Sequence, residues 1–348
     1  MKHAHHYKKI SEFRKDIISK DWILVVKGRR NRPGAGEIGK HPKKRKSDPL
    51  ETCPFENPQK KNAAPPVLWY PHPGAVAGAT LKNWFLRIIS NKYPAVAPHH
   101  ICPVEISYGP YSNFEGIGFH EVIITRDHRR SIADMSKEEV DVILHSYQER
   151  YIALENEPCI RYILIFHNHG KSAGASLTHP HSQLIAIPII PPDVGRSLSG
   201  YEKYFKKHHT CGHCAGLRFE KKEEKRIVYE NKKFITIAPY APRVSSELRI
   251  FPKKHSSHFE RITTVDRMEL ADALFVTLRK LKKGMDDPDY NFFIHTAPAK
   301  TDGMNHYHWH IEILPRFATW AGVELGTGVE VVAVSPEETA KQLKNIRV

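Results

Sequence analysis

Much of this chain is written twice, and that constrains its fold more than any other feature. Within its 348 residues, "HPHSQLIAIP" (179–188) lies without a gap over "HYHWHIEILP" (306–315). His179 then falls on His306, His181 on His308, Gln183 on His310 and Pro188 on Pro315. Upstream, "RYILIFHNHGKSAG" (161–174) resembles "DYNFFIHTAPAKTDG" (289–303), each an apolar, aromatic, strand-like run entering a glycine-containing loop. "EVIITRDH", ending at His128, resembles "ELRIFPKKH", ending at His255. To miss such a repeat is to misread the whole fold.

A helical pattern follows each of those two histidines. In the first, Ser136 and Glu139 form a capping box, and Val140, Ile143, Leu144, Tyr147 and Tyr151 make one apolar stripe. In the second, Asp266 and Glu269 are expected to cap, with Leu270, Leu274, Leu278 and Leu281 as the stripe. Both halves read cysteine motif, strand, histidine, helix, strand, loop, histidine-rich strand. Runs of strands beside few helices predict an α+β fold, with antiparallel sheet and packed helices in each half. The proline-rich "IPIIPPDVG" (187–195) is the expected seam between halves 1–192 and 193–348.

Composition narrows the class. With 40% hydrophobic and 26% charged residues the chain reads as soluble and globular. The net charge of +15, from 53 Lys+Arg against 38 Asp+Glu, favours an anionic partner. Yet runs such as "HPKKRK" (41–46) and "KKEEKR" (221–226) read as solvated charge, and no nucleic-acid-binding signature accompanies them. No apolar run has the length of a membrane span, and "MKHAHHYKKISEFRKD" lacks a signal peptide's apolar core. The expectation is a cytoplasmic protein with no nucleic-acid or membrane partner.

The five cysteines are too few and too scattered for a disulfide framework. Cys102 and Cys159 are expected as core packing. Cys211 and Cys214 form a C-x-x-C in "HTCGHCAG", where a glycine lets two thiolates converge on one metal. Aligning the halves gives two ligand sets: Cys53, Glu56, His128 and His179, then Cys211, Cys214, His255 and His308. Four Cys, His or Glu ligands suit tetrahedral zinc, and a filled shell marks a structural site. Glu56 in "CPFE" leaves the occupancy of the first set open, and "HYHWH" leaves open whether His308 or His310 is the ligand.

On a strand, alternate side chains share a face, so His179, His181 and Gln183 are expected to point together. The H-P-H-x-Q pattern, after the loop "NHGKSAGAS", resembles the histidine-triad superfamily in its transferase branch, most closely the galactose-1-phosphate uridylyltransferase family. That resemblance implies a duplicated histidine-triad-like fold with a half-barrel sheet in each half. It implies that His181 is the nucleophile and His179 a zinc ligand, with Asn168, Ser176 and Gln183 in support. It further matches Arg29 and Arg32 in "RKDIISKDWILVVKGRRNRP" to phosphate contacts, Asn91 in "NKYPA" to the nucleoside, and Glu324 in "AGVELGTG" to the hexose. His295, in "FIHTAP", matches a metal position in some members. The family's substrates are nucleotide sugars and sugar phosphates, and its members pair as homodimers.

The residue chemistry agrees. A neutral imidazole can attack an α-phosphorus, giving a nucleotidyl-histidine that a second phosphate then resolves, the basis of ping-pong kinetics. Gln183 hydrogen-bonds without titrating near neutral pH, which disfavours water as acceptor. Trp309 and His310 stand, in the gapless alignment, where the first half has Ser182 and Gln183, which points to a structural second half. The first reading is UDP-glucose:hexose-1-phosphate uridylyltransferase, because the proline of H-P-H is that form. The alternative is ADP-glucose phosphorylase, suggested by "GFHEVII", "PKKHSSHF", "NFFIHTAP" and "VELGTG". Diadenosine tetraphosphate phosphorylase and a non-enzymatic zinc- or nucleotide-binding module stand behind these.

Overall fold

A computed structural model of the chain describes residues 11–26, 48–56, 65–75 and 78–348. The first half contributes strands β1 (Ser11–Lys15), β2 (Trp22–Val26), β3 (Leu68–Pro71), β4 (Trp84–Ser90), β5 (Ile106–Tyr108), β6 (Tyr111–Asn113) and β7 (Phe119–Thr125). Helix α1 (Lys137–Glu155) and strands β8 (Tyr162–His169) and β9 (His181–Ile187) complete it. Helices α2 (Pro192–His208) and α3 (Gly212–Glu223) lead into β10 (Ile227–Glu230), β11 (Phe234–Ile237) and β12 (Leu248–Pro252). Helix α4 (Thr264–Gly284), β13 (Tyr290–His295), β14 (His310–Pro315), α5 (Gly322–Thr327), β15 (Glu330–Val332) and α6 (Pro336–Lys344) follow.

The α+β architecture with antiparallel sheet is as the sequence predicts, but the two half-sheets are one. Ten strands run in the order β10-β11-β12-β14-β13-β8-β9-β7-β4-β3. Five come from each half in mirrored order, and β8 pairs with β13 at the centre. Separately, β2 pairs with β1 on one side and, on the other, with β15 from the far end of the chain. The 192/193 boundary falls at the first turn of α2, which the Pro191–Pro192 pair opens.

The pairing register sorts the sheet into two faces. Directly opposite residues share a face, so Val122, Gln183, Phe166, Phe293, Glu312 and Arg249 form one row across six strands. One residue along, Ser182, His167, Phe292 and Ile313 form a row on the other side. That side is the core. Ile163, Ile165, Leu184, Ile294 and Ile311 pack there with Val140, Leu144 and Tyr147 of α1 and Leu270, Leu274 and Leu278 of α4. The helical stripes thus do as their spacing requires, and the polar row is left on the opposite face.

Helix α1 starts in its capping box, with the Ser136 hydroxyl accepting from Glu139 N–H at 3.2 Å and the Glu139 carboxylate accepting from Ser136 N–H at 2.7 Å. Helix α4 departs from expectation. Its cap is Thr263, whose hydroxyl accepts from Asp266 N–H at 3.1 Å, so Asp266 lies inside the first turn. Threonine and aspartate three apart offer the same signal, and the more N-terminal one wins.

Two further expectations are corrected. Cys102 and Cys159 are not core residues but a disulfide joining the β4–β7 connection to the loop after α1, with Cα atoms 5.3 Å apart across a separation of 57 residues. The repeat alignment is also out by two residues. Gln183 and Glu312 both face the paired phenylalanines Phe166 and Phe293, so His308 matches His179, His310 matches His181, and Glu312 matches Gln183. A shift of two preserves strand alternation, and "HYHWH" presents two equivalent H-x-H registers, so the sequence pattern alone did not separate them. Ile311 and Glu312, not Trp309 and His310, occupy the places of Ser182 and Gln183.

The packing also buries an acid. Glu260, in the short turn before α4 and packed on α1, takes a hydrogen bond from the Thr296 hydroxyl at 3.2 Å, while its Oε1 is buried with no partner. Burial, reinforced by Glu155, pushes its carboxyl up to about 7. Below the unfolded value near 4.5 the acid is protonated in both states, and above about 7 the folded state must carry a buried charge. Stability therefore falls as pH rises through that window. Glu260→Gln is expected to gain on the order of 2 kcal/mol over the parent at pH ~8 and little at pH ~4.5, read from thermal unfolding at both.

Candidate functional site

Four side chains of the first half converge beside the end of β7. Cys53 Sγ lies 3.5 Å from His179 Nδ1, and His128 Nδ1 lies 3.1 Å from it. Glu56 Oε1 is 3.2 Å from His128 Nδ1 and 3.6 Å from His179 Nδ1. The outer nitrogens are committed: His128 Nε2–H donates to Asp48 C=O at 2.9 Å and His179 Nε2–H to Thr125 C=O at 2.7 Å. Both Nδ1 atoms are therefore lone pairs facing each other, and Glu56 Oε1 is buried without a hydrogen-bond donor. Such donors suit a cation: Cys53, His128 and His179 bring one ligand atom each within 4.8 Å of one another, with Glu56 beside the two histidines.

The second half repeats the device. Cys214 Sγ lies 3.4 Å from the Nδ1 atoms of both His255 and His308, and Cys211 completes the group. His308 Nε2–H donates to Pro252 C=O at 3.0 Å, so its lone pair also faces inward. The cysteine pair is met by His308. His310 instead lies with His295 and Glu312 in a third cluster, where His295 Nε2–H donates to Glu312 at 2.8 Å.

His181 opens β9, and His179 sits on the turn before it. The His181 Nδ1–H donates back to the His179 C=O at 2.8 Å. That bond fixes the tautomer and leaves Nε2 as the free lone pair. Burial holds the ring below its ordinary value, hence neutral, and the Phe55 ring packs edge-on 5.2 Å away. From the core side, Ser182 anchors the strand: Tyr147 OH lies 2.5 Å and His167 Nδ1 3.0 Å from its hydroxyl.

Gln183 shares the face of His181, and its Oε1 accepts from His120 Nε2–H at 2.8 Å. His120 Nδ1 in turn accepts from Ala95 N–H at 3.1 Å. The Gln183 amide is thereby turned so that its NH2 remains a donor. Asn91 lies in the same group, its N–H donating to His120 C=O at 2.8 Å. His120 is a site residue the sequence reading did not single out. It lies on β7, and only cross-strand pairing brings it to Gln183.

The remaining candidates separate. Asn168, next to the end of β8, lies on the same face as Gln183, paired with Asn291. Ser176 is exposed on the loop before β9, and its hydroxyl has no partner among the described residues. Glu324 on α5 lines a different cavity, of 580 Å³, with Arg243, His310 and Glu312. Within one chain it is not brought to His181, since β9 and β14 are three strand spacings apart, roughly 14 Å. Arg29 and Arg32 lie outside the described residues. No helix among the described residues is long and apolar enough to cross a membrane.

Comparison with known proteins matches this arrangement. The family described as "Domain of unknown function (DUF4921)" covers residues 112–346. The chain is 33% identical to ADP-glucose phosphorylase of Arabidopsis thaliana over 339 residues, 96% of this chain and 93% of that one. It is 30% identical to galactose-1-phosphate uridylyltransferase of Thermotoga maritima over 289 residues, 79% of this chain and 89% of that one. The crystal structure of the Arabidopsis thaliana ADP-glucose phosphorylase with bound ADP-glucose superposes with a TM-score of 0.80 at 31% identity, covering 97% of this chain and all of the other. A duplicated antiparallel sheet that carries H-P-H-x-Q beside a cysteine and histidine cluster thus places the chain in the galactose-1-phosphate uridylyltransferase family of nucleotidyl-transferring enzymes.

Proposed function

We propose that the chain transfers a nucleoside monophosphate from a nucleotide sugar through His181, and that it acts as an ADP-glucose phosphorylase, with inorganic phosphate as acceptor. The observation that carries the transfer is the His181 Nδ1–H bond to the His179 carbonyl, which presents Nε2 as the nucleophile. Nε2 attacks the α-phosphorus, a P–N bond forms, and the P–O bond to the departing sugar 1-phosphate breaks. A phosphate oxygen then attacks the same phosphorus, the P–N bond breaks, and a nucleoside diphosphate leaves. The Gln183 NH2 and the Asn168 amide supply donors for charge on the phosphoryl oxygens.

The choice of AMP over UMP reverses the order the sequence reading favoured. It is supported by 33% identity across 96% of the chain against 30% across 79%. The proline of H-P-H sits at the start of β9 with its carbonyl taking the Thr125 hydroxyl at 3.3 Å, a backbone role that serves either activity. Uridylyl transfer to a hexose 1-phosphate is the second reading.

Both four-residue sets suit zinc, held by Cys53, Glu56, His128 and His179 and by Cys211, Cys214, His255 and His308. With four protein ligands each, zinc there would supply structure, not a reactive water. The first set matters to the chemistry because it fixes His179, whose carbonyl orients His181.

Intact mass after brief incubation with ADP-glucose, and separately with UDP-glucose, tests the reading. The expected result is a gain of one AMP, lost on adding phosphate. A UMP adduct lost only on adding galactose 1-phosphate would install the second reading, and no adduct from either sugar would remove both. His181→Gly is expected to form no adduct while keeping its metal and its melting temperature. His120→Ala should slow adduct formation about tenfold, because Gln183 loses the hydrogen bond that orients it. Cys214→Ser should lose the second-half metal by elemental analysis and melt at lower temperature, with turnover at low temperature little changed. Equal metal in variant and parent would refute the second metal site.

A further inference from the structure

We propose that the second half of the chain sets the geometry of the first half's catalytic loop, and that Asp289, Asn291 and Arg316 are positioning residues for transfer at His181. This rests on the transfer reading above. The loop between β8 and β9, "NHGKSAGAS", is short of side chains that could hold it. Gly170 and Gly174 take φ of +85° and +84°, and its internal bonds are a few turn contacts such as Gly174 N–H to Lys171 C=O at 3.0 Å. Left to itself such a segment samples many shapes.

What fixes it comes from across the β8–β13 pair. Asp289 Oδ2 accepts from Ser172 N–H at 2.7 Å. A Cβ on Gly170 would lie 1.9 Å from Asp289 Oδ1, so the carboxylate rests against the α-carbon and glycine is obligatory there. Asn291 Nδ2 donates to Asn168 Oδ1 and to Ala173 C=O, both at 2.7 Å, and its Oδ1 accepts from Arg316 Nε at 2.5 Å. Arg316 N–H donates to Asp289 C=O at 2.7 Å, which closes the ring of contacts. Asn291 is 8% exposed, and its one amide serves the buried Ala173 carbonyl and the half-buried Asn168 and Arg316 side chains.

The consequence lies at Asn168. Its Oδ1 is taken by Asn291, so its NH2 is turned out as a donor on the face that carries His181 and Gln183. The ligand such donors fit is an anionic phosphoryl group. None of the three positioning residues belongs to the main apolar core, so their loss should disturb the loop more than the fold.

The test is single-turnover adduct formation by the full-length, metal-loaded chain with ADP-glucose and with UDP-glucose, beside KM, melting temperature and metal content. Asn291→Ala is expected to lower the adduct rate about a hundredfold with KM changed by less than about threefold, because the donors are misplaced and not lost. Asn291→Asp keeps the shape and the acceptor for Arg316 but loses both donors, so it should be as slow as Asn291→Ala. Asp289→Asn keeps an acceptor for Ser172 N–H and should recover most of what Asp289→Ala loses. Melting temperatures and metal content should stay near the parent's. Rates near the parent's in both Asn291 variants would overturn the proposal alone. A rate loss that tracks a fall in melting temperature would also overturn it, by reducing the residues to a structural role. No adduct from the parent would overturn the transfer reading and this one with it.

Discussion

The antiparallel pairing of β8 with β13 is the contact on which the rest depends. It joins two five-stranded units into one ten-stranded sheet and gives them a single apolar face, against which α1 and α4 pack together. Neither half covers that face alone. Because directly paired residues share a face, the same pairing forces the chemistry-bearing rows of both halves onto the opposite side. It also brings Asn291 of one half against Asn168 of the other.

Duplication has kept the backbone device and changed what surrounds it. In each half an Nδ1–H bonds the carbonyl two residues back, His181 to His179 at 2.8 Å and His310 to His308 at 3.2 Å. In the first half the neighbour two residues on is Gln183, a neutral donor held by His120. In the second it is Glu312. Although burial opposes its charge, Arg249 and His295 hold that carboxyl well below the usual range. A phosphoryl group approaching His310 would meet a buried carboxylate. On the proposed reading the two halves divide the labour, one presenting the nucleophile and the other a charged support.

The candidate metal ligands and the proposed nucleophile share one short segment. His179 turns its Nδ1 to Cys53, Glu56 and His128 while its carbonyl orients His181. Order in the candidate ligand cluster is therefore order in the ring of the proposed nucleophile. The core side adds a second restraint through Ser182, the residue between His181 and Gln183.

The sequence by itself determined what local chemistry specifies. Ligand type and spacing gave the two candidate ligand sets, Ser136 and Glu139 gave the start of α1, the leucine spacing gave the buried stripe of α4, and H-P-H-x-Q gave the proposed nucleophile. It misplaced α4's cap by one turn, where Thr263 and Asp266 send the same local signal. Tertiary structure decided everything that depends on register and on distant pairs. The match of His310 to His181 was hidden because a shift of two residues leaves strand alternation unchanged. His120, Asn291 and the Cys102–Cys159 bridge were hidden because their partners lie 63, 123 and 57 residues away. No local preference encodes such a pair, since it exists only once the sheet has fixed which strand lies beside which.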